Sequence, residues 1–242
     1  MPAPQSFDAR LVRRRTLSPS VRELGFERAD GAPFVFEPGQ WVSLVLPLPE
    51  GEVRRAYSIA SPPASEPCFE LAVTHVRGGP GSTYLHTLAA GAELRAIGPQ
   101  GFFTRPADGP PSLMVATGTG LAPIRSMIRA AVAARSRSPM WLLFGVREEA
   151  DILWRDELER LAETEPSMRV EVTLSRPGPG WRGRSGYVQT HVRELWAELT
   201  ALGAGPPHAF VCGLEKMVGA VRDVLRKDLG VVRQQVHSER YD

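Results

Sequence analysis

The sequence predicts two domains, an N-terminal antiparallel β-barrel followed by an α/β domain with a five-stranded parallel sheet. Up to about residue 105 the chain reads as short strands broken by glycine and proline. Beyond that point strands alternate with helix-length segments, which is typical of a parallel sheet covered by helices. A length of 242 residues suits two domains. We therefore expect one domain over residues 1–105 and a second over residues 106–242.

The first half carries alternating patterns of apolar and polar or small side chains, as half-buried antiparallel strands do. These strand candidates are Val42 to Leu46, Arg55 to Ile59 and Phe69 to Val73. Pro47 is expected to end the first of them, and Tyr84 to Leu88 is the segment with helical character. Together they predict a small antiparallel barrel with one helix. Pro106 to Pro111 then has the composition of a linker.

The second half changes to strands separated by amphipathic helices. The strand candidates are Leu113 to Ala116, Trp141 to Phe144, Val170 to Leu174, Ala209 to Cys212 and Val236 to Ser238. Helical spacing places Ile124, Met127, Ile128, Ala131 and Val132 on one apolar face. Met217, Val221, Val224 and Leu225 repeat this pattern before the last strand. The alternation predicts helices on both faces of the sheet.

Composition excludes several classes of protein. Apolar residues make up 43% and charged residues 23%, so the chain is not predicted to be disordered. A formal charge of +2 does not suggest a nucleic-acid partner. The two cysteines, Cys68 and Cys212, lack paired spacing, which argues against a disulfide framework, a zinc site or a four-cysteine cluster, and no metal is expected. With no apolar run of signal-peptide or membrane-span length, we expect a cytoplasmic monomer without a membrane partner.

A glycine-rich turn joins the first parallel strand to its helix. Thr117, Gly118, Thr119 and Gly120 form this turn, and glycines there let the backbone approach a pyrophosphate at the helix N-terminus. The third glycine of the usual dinucleotide fingerprint is replaced by Pro123, which is tolerated in the first turn of a helix. This argues against an ordinary Rossmann dehydrogenase. It leaves open both a phosphate-binding loop and a purely structural turn.

Six short motifs, in order from Arg55 to Asp242, resemble those of the ferredoxin–NADP reductase superfamily. They are the flavin motif Arg55-Ala56-Tyr57-Ser58, the segment Gly79 to Leu85, the segment Gly98 to Phe103, the loop from Gly118 through Ser126, the triplet Val211-Cys212-Gly213 and the tail Glu239-Arg240-Tyr241. The resemblance implies a barrel that binds FAD and an α/β domain that binds a pyridine nucleotide. Some members carry an iron–sulfur domain, and we expect none here.

The resemblance also implies how the barrel holds FAD. Arg55 would contact the pyrophosphate, Tyr57 would lie on the isoalloxazine, and Ser58 would lie near flavin N5. Ser82 would cap a short helix and offer its N-terminus to the diphosphate. Further FAD contacts implied by the family are Ala56, Ala72, Val73, Thr74, Gly79, Gly81 and Thr83.

For the nucleotide, the resemblance implies contacts from the second domain. These are Thr117, Gly118, Thr119, Gly120, Pro123, Ser175, Cys212 and Gly213. Arg147, Arg176 and Arg184 match arginines that hold the 2′-phosphate in bacterial ferredoxin–NADP reductases, which favours NADPH. NADH is the alternative, because Glu148 is placed to reach the ribose and the chain is arginine-rich throughout.

The implied reaction is hydride transfer from nicotinamide C4 to flavin N5, followed by release of electrons to an acceptor. Ser58, Cys212 and Glu239 are the candidates around the hydride path, with Tyr57 and Tyr241 on the two flavin faces. The acceptor expected is a ferredoxin, a flavodoxin or an oxygenase component. A free-flavin or quinone reductase uses the same motifs, and a non-catalytic electron-transfer subunit is the alternative of a different class.

Overall fold

The computed structural model describes residues 4–63 and 68–241, so the expected domain ends at residues 1–3 and 242 lie outside the described residues. The strands are β1 (Gln5–Ser18), β2 (Val21–Arg28), β3 (Trp41–Leu48), β4 (Gly51–Ser58), β5 (Cys68–Thr74), β6 (Glu93–Gln100), β7 (Ser112–Thr117), β8 (Met140–Val146), β9 (Met168–Leu174), β10 (Arg184–Ser185), β11 (His208–Leu214) and β12 (Val236–Tyr241). The α-helices are α1 (Pro80–Thr87), α2 (Leu121–Ala133), α3 (Arg155–Thr164), α4 (Val192–Ala201) and α5 (Glu215–Asp223). Across the described ranges, each helix falls short of the length or the apolar character needed to cross a bilayer.

The first six strands form the predicted antiparallel barrel. Their order is β4-β3-β6-β1-β2-β5, and every neighbouring pair is antiparallel. A single bridge between Ile59 and Leu71 joins the two ends, so the sheet curls into a half-open barrel. Its core is rich in aromatic rings, with Phe34 and Phe69 at 4.7 Å between centroids. Helix α1 packs against β3 and β5.

The second sheet is parallel, with the order β10-β9-β8-β7-β11-β12. Successive side chains of β7 point to opposite faces: Met114 packs with α2 and α3, and Val115 packs with α4 and α5. The predicted count of five strands is wrong by one. The extra strand, β10, is two residues long and pairs with Thr173 and Leu174, which is too short to produce a periodic signal in the sequence.

Two predicted element ends are also wrong. Strand β3 continues through Pro47, which pairs with Glu52, whereas the pairing of β3 with β6 stops at Val45. Beyond Val45 the strand has one partner, and a proline is tolerated at such an edge. Helix α1 begins earlier than expected, at Pro80, because proline suits the first helical position. Helix α5 is followed by a π-helical turn over Val224–Asp228, which carries Leu225 of the predicted apolar face.

The connection between the two sheets, from Gln100 to Ser112, is organised by one buried arginine. Arg105 is 1% exposed, and its guanidinium donates to the carbonyls of Pro106, Gly109 and Pro110 and to Ser112 Oγ. Burial lowers the pKa of Arg105 to about 10, although the charge of Asp108 opposes this. The predicted linker is therefore a fixed turn. The domain boundary expected between residues 105 and 106 falls within it and stays a prediction.

Candidate active site

A cluster of four side chains lies where the end of β4 meets the edge of the parallel sheet. The Ser58 hydroxyl donates a hydrogen bond to Glu239 Oε1 at 2.8 Å and accepts one from the Tyr241 hydroxyl at 2.6 Å. Cys212 lies opposite Glu239 in the parallel register of β11 and β12, and its thiol lies near the Tyr241 hydroxyl. The three residues expected around the hydride path are thus brought together with Tyr241, which was expected on a flavin face, while the roles of all four stay predictions.

Burial determines the protonation of this cluster. It raises the pKa of the fully buried Cys212 thiol far above its ordinary value, and the nearby Glu239 carboxylate raises it further. The pKa of the Tyr241 hydroxyl is raised for the same first reason. Burial also raises the pKa of Glu239, against the hydrogen bond from Ser58 that lowers it. At neutral pH the thiol and the phenol are therefore uncharged, and Glu239 is the group of the cluster that can exchange a proton.

Tyr57 precedes Ser58 on β4 and points to the other side of the strand. Its ring packs against the barrel core. Burial raises the pKa of its hydroxyl to about 12, against the opposing charge of Arg55. The side chain is thus a neutral flat ring at the barrel surface, and its contact with the isoalloxazine stays a prediction.

Arg55 lies beside the first turn of α1, so the two predicted phosphate contacts meet in space. A Cβ at Gly81 would lie 3.7 Å from Arg55 Cγ and 3.9 Å from its Nε. The guanidinium is exposed and donates to the carbonyl of Arg54 at 2.9 Å. No ion pair of Arg55 is found within residues 4–63 and 68–241. An uncommitted arginine beside a helix N-terminus fits a phosphate group.

The prediction that Ser82 caps α1 is wrong. The residue before the helix is Gly79, and no side chain caps it. Ser82 lies inside the first turn, where its hydroxyl accepts from the amide of Val76 and donates to the carbonyl of Gly79, each at 3.0 Å. These bonds close the loop that leads into α1. Ser82 therefore shapes the helix start, and its contact with a diphosphate stays a prediction.

The nucleotide loop packs directly against the C-terminal end of β11. A side chain at Gly120 would overlap the carbonyl of Cys212, and one at Gly213 would overlap the Thr117 hydroxyl. Gly118 has a φ of 53° and open space above it, which leaves its backbone accessible. Thr117 Oγ1 is buried and has no hydrogen-bond partner within the described residues. A buried unpaired hydroxyl is costly unless a ligand satisfies it, so this loop fits a polar nucleotide.

Several further predicted contacts lie near these elements. Thr74, at the end of β5, has its hydroxyl 3.5 Å from that of Thr119, and Pro123 occupies the first turn of α2. Ala72 and Val73 are buried in β5, while Thr83 and Ala56 are exposed. The end of β5 in the barrel therefore contacts the nucleotide loop.

The three arginines expected at a 2′-phosphate are not equivalent. Arg147 and Arg176 are exposed at the ends of β8 and β9, where the Arg176 amide donates to the Arg147 carbonyl at 2.8 Å. Neither forms an ion pair within the described parts of the chain. The Ser175 amide bonds the Val146 carbonyl at 3.0 Å in the same way. These two loops therefore form one basic edge.

Arg184, in contrast, is already bonded to carboxylates. Its guanidinium donates to Glu171 at 3.1 Å and to both oxygens of Glu194 at 2.8 and 3.1 Å. Hydrogen bonds to Glu194 are the largest cause of its raised pKa. It would have to exchange these partners to reach a phosphate. The motif alone does not reveal this, because both carboxylates lie outside it.

Sequence reasoning missed two features near the cluster. One is a groove of about 880 Å³ that begins beside Glu239 and is lined by aromatic residues, among them Trp41, Phe102 and Phe103. Phe102 is 86% exposed, and the available signal was an aromatic residue at the variable position of the GPxGxF segment before Phe103. The other is Arg125, a buried charge on an otherwise apolar stretch of α2.

Comparison with known families agrees with this geometry. Residues 8–104 match the model described as Oxidoreductase FAD-binding domain, and residues 114–223 match the Oxidoreductase NAD-binding domain. The chain is 60% identical over 240 residues to Ferredoxin--NADP reductase B of Sorangium cellulosum, covering 98% of both chains. It is 30% identical to the Phenol hydroxylase P5 protein of Acinetobacter pittii, covering 98% of this chain and 66% of that one.

Solved structures show the same fold. The Amycolatopsis cytochrome P450 reductase is 28% identical with a TM-score of 0.82, over 98% of this chain and 70% of that one. The ferredoxin reductase in carbazole 1,9a-dioxygenase, at 24% identity, has a TM-score of 0.84, over 100% of this chain and 71% of that one. With matched models for both halves and a relative of this identity along nearly its whole length, the chain belongs to the ferredoxin–NADP reductase family of FAD- and pyridine-nucleotide-binding oxidoreductases.

Proposed function

We propose that this chain transfers a hydride from NADPH to bound FAD and passes the electrons to a ferredoxin, a flavodoxin or an oxygenase component. The observation that carries the proposal is the hydrogen-bonded cluster of Ser58, Glu239 and Tyr241 with Cys212. It joins the strand of the flavin motif to the sheet of the nucleotide loop. The names of the relatives in Sorangium and Acinetobacter, a ferredoxin–NADP reductase and a phenol hydroxylase component, support this choice of acceptors.

When bound, NADPH supplies the hydride and FAD accepts it and stores the electrons. The residues of the chain orient the two and control protons. Tyr57 offers one flat neutral face. Tyr241 bonds Ser58, so its ring would have to give up that bond and move before a nicotinamide could stack there. Glu239, with its raised pKa, holds a proton or releases it at the Ser58 hydroxyl.

The preference for NADPH is supported by the basic edge. Arg147 and Arg176 are uncommitted and adjacent, and a phosphate dianion gains charge-assisted hydrogen bonds from two such groups. Arg184 contributes in this proposal only after leaving Glu194. The competing cofactor is NADH, and Glu148 at the end of β8 is the residue that would favour it.

The aromatic groove beside Glu239 favours a second candidate function. Flat acceptors such as a free flavin or a quinone stack on aromatic side chains, and a groove of about 880 Å³ is large enough for one. In this alternative Phe102 and Trp41 hold the acceptor next to the cluster. Turnover of free flavin that is lost in a Phe102→Ala variant, with no turnover of ferredoxin, would favour it over the leading proposal.

We further propose that residues 1–105 hold FAD and residues 106–242 hold the nucleotide, in a monomer that works in the cytoplasm. Size-exclusion chromatography with light scattering tests the oligomeric state. A stable dimer would contradict that part of the proposal.

Anaerobic titration of the purified protein tests the proposed reaction. We expect a yellow protein whose flavin absorbance is bleached by NADPH and restored by oxidised ferredoxin. Flavin released by heat should be FAD in chromatography, and Arg55→Ala should lower the bound fraction, because it removes the guanidinium beside Gly81. A colourless protein that binds no FAD, or a flavin that NADPH and NADH leave oxidised, would sink the proposal.

A further inference from the structure

Arg125 is a buried arginine on α2 that bonds the barrel on one side and helix α3 on the other. It is 4% exposed. Toward the barrel, Nη1 donates to the Ala60 carbonyl at 3.0 Å and to Glu70 Oε2 at 2.6 Å. Toward its own domain, Nε and Nη2 donate to the two oxygens of Glu157 at 2.9 and 2.7 Å. The guanidinium thus spans three elements with directional hydrogen bonds.

The barrel segment that Arg125 holds is the continuation of the flavin motif. Ala60 and Ser61 lie two and three residues after Ser58 along the chain. The neighbour of Arg125, Ser126, donates from its hydroxyl to the Ser61 carbonyl at 2.6 Å. Two successive carbonyls of this segment are therefore held by two successive side chains of α2. Since α2 starts at the nucleotide loop, one helix links that loop to the strand that ends in Ser58.

The surroundings show that this contact is built as a charged network. Arg13 from β1 also pairs with Glu70, and Arg129 lies 3.6 Å from Glu70 and 3.9 Å from Glu157. Burial works against the charges of Glu70 and Arg125, yet their pairing prevails, so the pKa of Glu70 is lowered and that of Arg125 is raised. Both remain charged at neutral pH.

A tryptophan completes the contact from the other side. Trp154 lies 4.6 Å under the Arg125 guanidinium, and its indole donates to Glu23 of the barrel at 2.6 Å. Its φ of 49° is in the left-handed region, which is strained for a bulky side chain. A strained backbone conformation persists only where surrounding contacts hold the residue in place. For Trp154 these are its contacts with Arg125 and with Glu23 of the barrel.

We propose that Arg125 is a positioning residue for hydride transfer, fixing the Ser58 strand relative to the nucleotide loop. An apolar interface resists separation but permits sliding, whereas the bonds from Arg125 to Ala60, Glu70 and Glu157 each fix a direction. The rate of hydride transfer depends strongly on the geometry of the reacting groups, and a displacement of about 1 Å can lower it on the order of 100-fold. The inference rests on the proposed function, because it assumes that flavin and nicotinamide meet at Ser58.

The test is rapid mixing of the FAD-loaded protein with NADPH. In Arg125→Gln we expect flavin reduction at saturating NADPH to slow by roughly 10- to 100-fold, with the NADPH dissociation constant changed less than about threefold. With 4-deuterated NADPH, the isotope effect on flavin reduction should rise, since transfer itself is slowed. The matched control is Arg129→Gln on the same helix, which touches Glu70 and Glu157 but no barrel carbonyl, and it should stay within about twofold of the native rate.

Equal slowing of flavin reduction in Arg125→Gln and Arg129→Gln would overturn the inference. So would an Arg125→Gln variant whose NADPH dissociation constant rises while its reduction rate at saturating NADPH stays native. If Arg125→Gln does not fold, Ser126→Ala decides, because it removes only the hydroxyl that holds the Ser61 carbonyl. A Ser126→Ala rate equal to that of the native protein would then count against the inference, and a slowing with an increased isotope effect would support it. A native protein whose flavin no nicotinamide nucleotide reduces would instead refute the proposed function.

Discussion

The proposed nucleotide site has a hydride end and a phosphate end, and the two differ in how many hydrogen bonds their side chains already form. At the hydride end, Ser58, Glu239 and Tyr241 are hydrogen-bonded to one another, with Ser58 buried and the other two partly buried. At the phosphate end, Arg147 and Arg176 are exposed on loops without ion pairs among the described residues. The difference follows from the physics of each task. Hydride transfer requires fixed geometry. A phosphate, in contrast, is attracted electrostatically over several ångströms and can be bound by exposed arginine side chains.

The largest effect that this comparison predicts comes from Ser58, which bonds both Glu239 and Tyr241. Replacing Ser58 by Ala removes both hydrogen bonds, and flavin reduction at saturating NADPH should fall about 100-fold. Stopped-flow absorbance measures the rate, and the ratio of flavin to protein absorbance should match that of the native protein. A reduction rate within threefold of native would mean that the assembled cluster is not the reacting centre.

Cys212 should have a smaller effect on the same step. Because burial raises the pKa of the thiol and keeps it neutral, we expect Cys212 to act by filling space beside the nicotinamide rather than as a thiolate. Cys212→Ala should slow flavin reduction about tenfold at saturating NADPH while the protein stays yellow. The control is Cys68→Ala, in the barrel, which should leave the rate unchanged. An unaltered rate in Cys212→Ala would make this thiol a packing residue.

The phosphate end should respond in binding rather than in rate. Arg176→Ala removes one charge-assisted contact, so kcat/KM for NADPH should drop about tenfold while that for NADH is unchanged. The nearby exposed Arg182, outside the predicted set, is the matched control, and Arg182→Ala should change the ratio less than twofold. Higher kcat/KM for NADH than for NADPH in the native protein would overturn the cofactor assignment.

A substitution of Arg184 tests whether this arginine binds the 2′-phosphate or stays bonded to its carboxylate partners. Since its guanidinium is bonded to Glu171 and Glu194, Arg184→Ala should affect NADPH less than Arg176→Ala does. It should lower the melting temperature by a few degrees at most, because partly exposed ion pairs contribute about 1 kcal/mol or less. If NADPH specificity instead collapses in Arg184→Ala with no change in melting temperature, Arg184 leaves its carboxylates for the phosphate.

Sequence reasoning predicted the fold because the signals were long. The apolar face of α2 and the strand β7 before it repeat over enough residues for periodicity to identify them. The two-residue strand β10 and the start of α1 escaped because no period exists at that length. Motifs also predicted Ser58, Cys212, Glu239 and Tyr241 as site residues, and the fold brings these four together, while their roles stay predictions.

What sequence did not predict depends on residues that meet across the fold. Arg125 and Glu70 are far apart in the chain, and their pairing requires the barrel to be docked on α2. The partners of Arg184 likewise lie on β9 and α4, outside any motif. Arg105 resembles an ordinary linker arginine until its carbonyl partners are known. Composition and spacing carry no information about such contacts.

The smallest predicted effect is on protein stability, and it comes from the burial of the Glu239 carboxyl at the hydride end. Burial raises the pKa of Glu239, and no ion pair with Glu239 is found in the described part of the chain. A carboxyl whose pKa is raised in the folded protein stabilises it fully below the pKa of the unfolded state, about 4.3, and that contribution is lost as pH rises through the folded pKa.

Glu239→Gln, which keeps an acceptor for Ser58 but carries no charge, should therefore melt at a higher temperature than the native FAD-bound protein at pH 8. The difference should shrink toward pH 4, where both proteins carry a neutral group, and calorimetry across this range measures it. Glu215→Gln is the matched control, because Glu215 is exposed and paired with Arg240, and its melting temperature should not rise at pH 8. Flavin reduction in Glu239→Gln should be slower at the same time, since the group that exchanges a proton is gone. A Glu239→Gln variant with a lower melting temperature than the native protein at pH 8 would show that the charged carboxylate stabilises the fold. Burying Glu239 beside Ser58 would then not destabilise the protein.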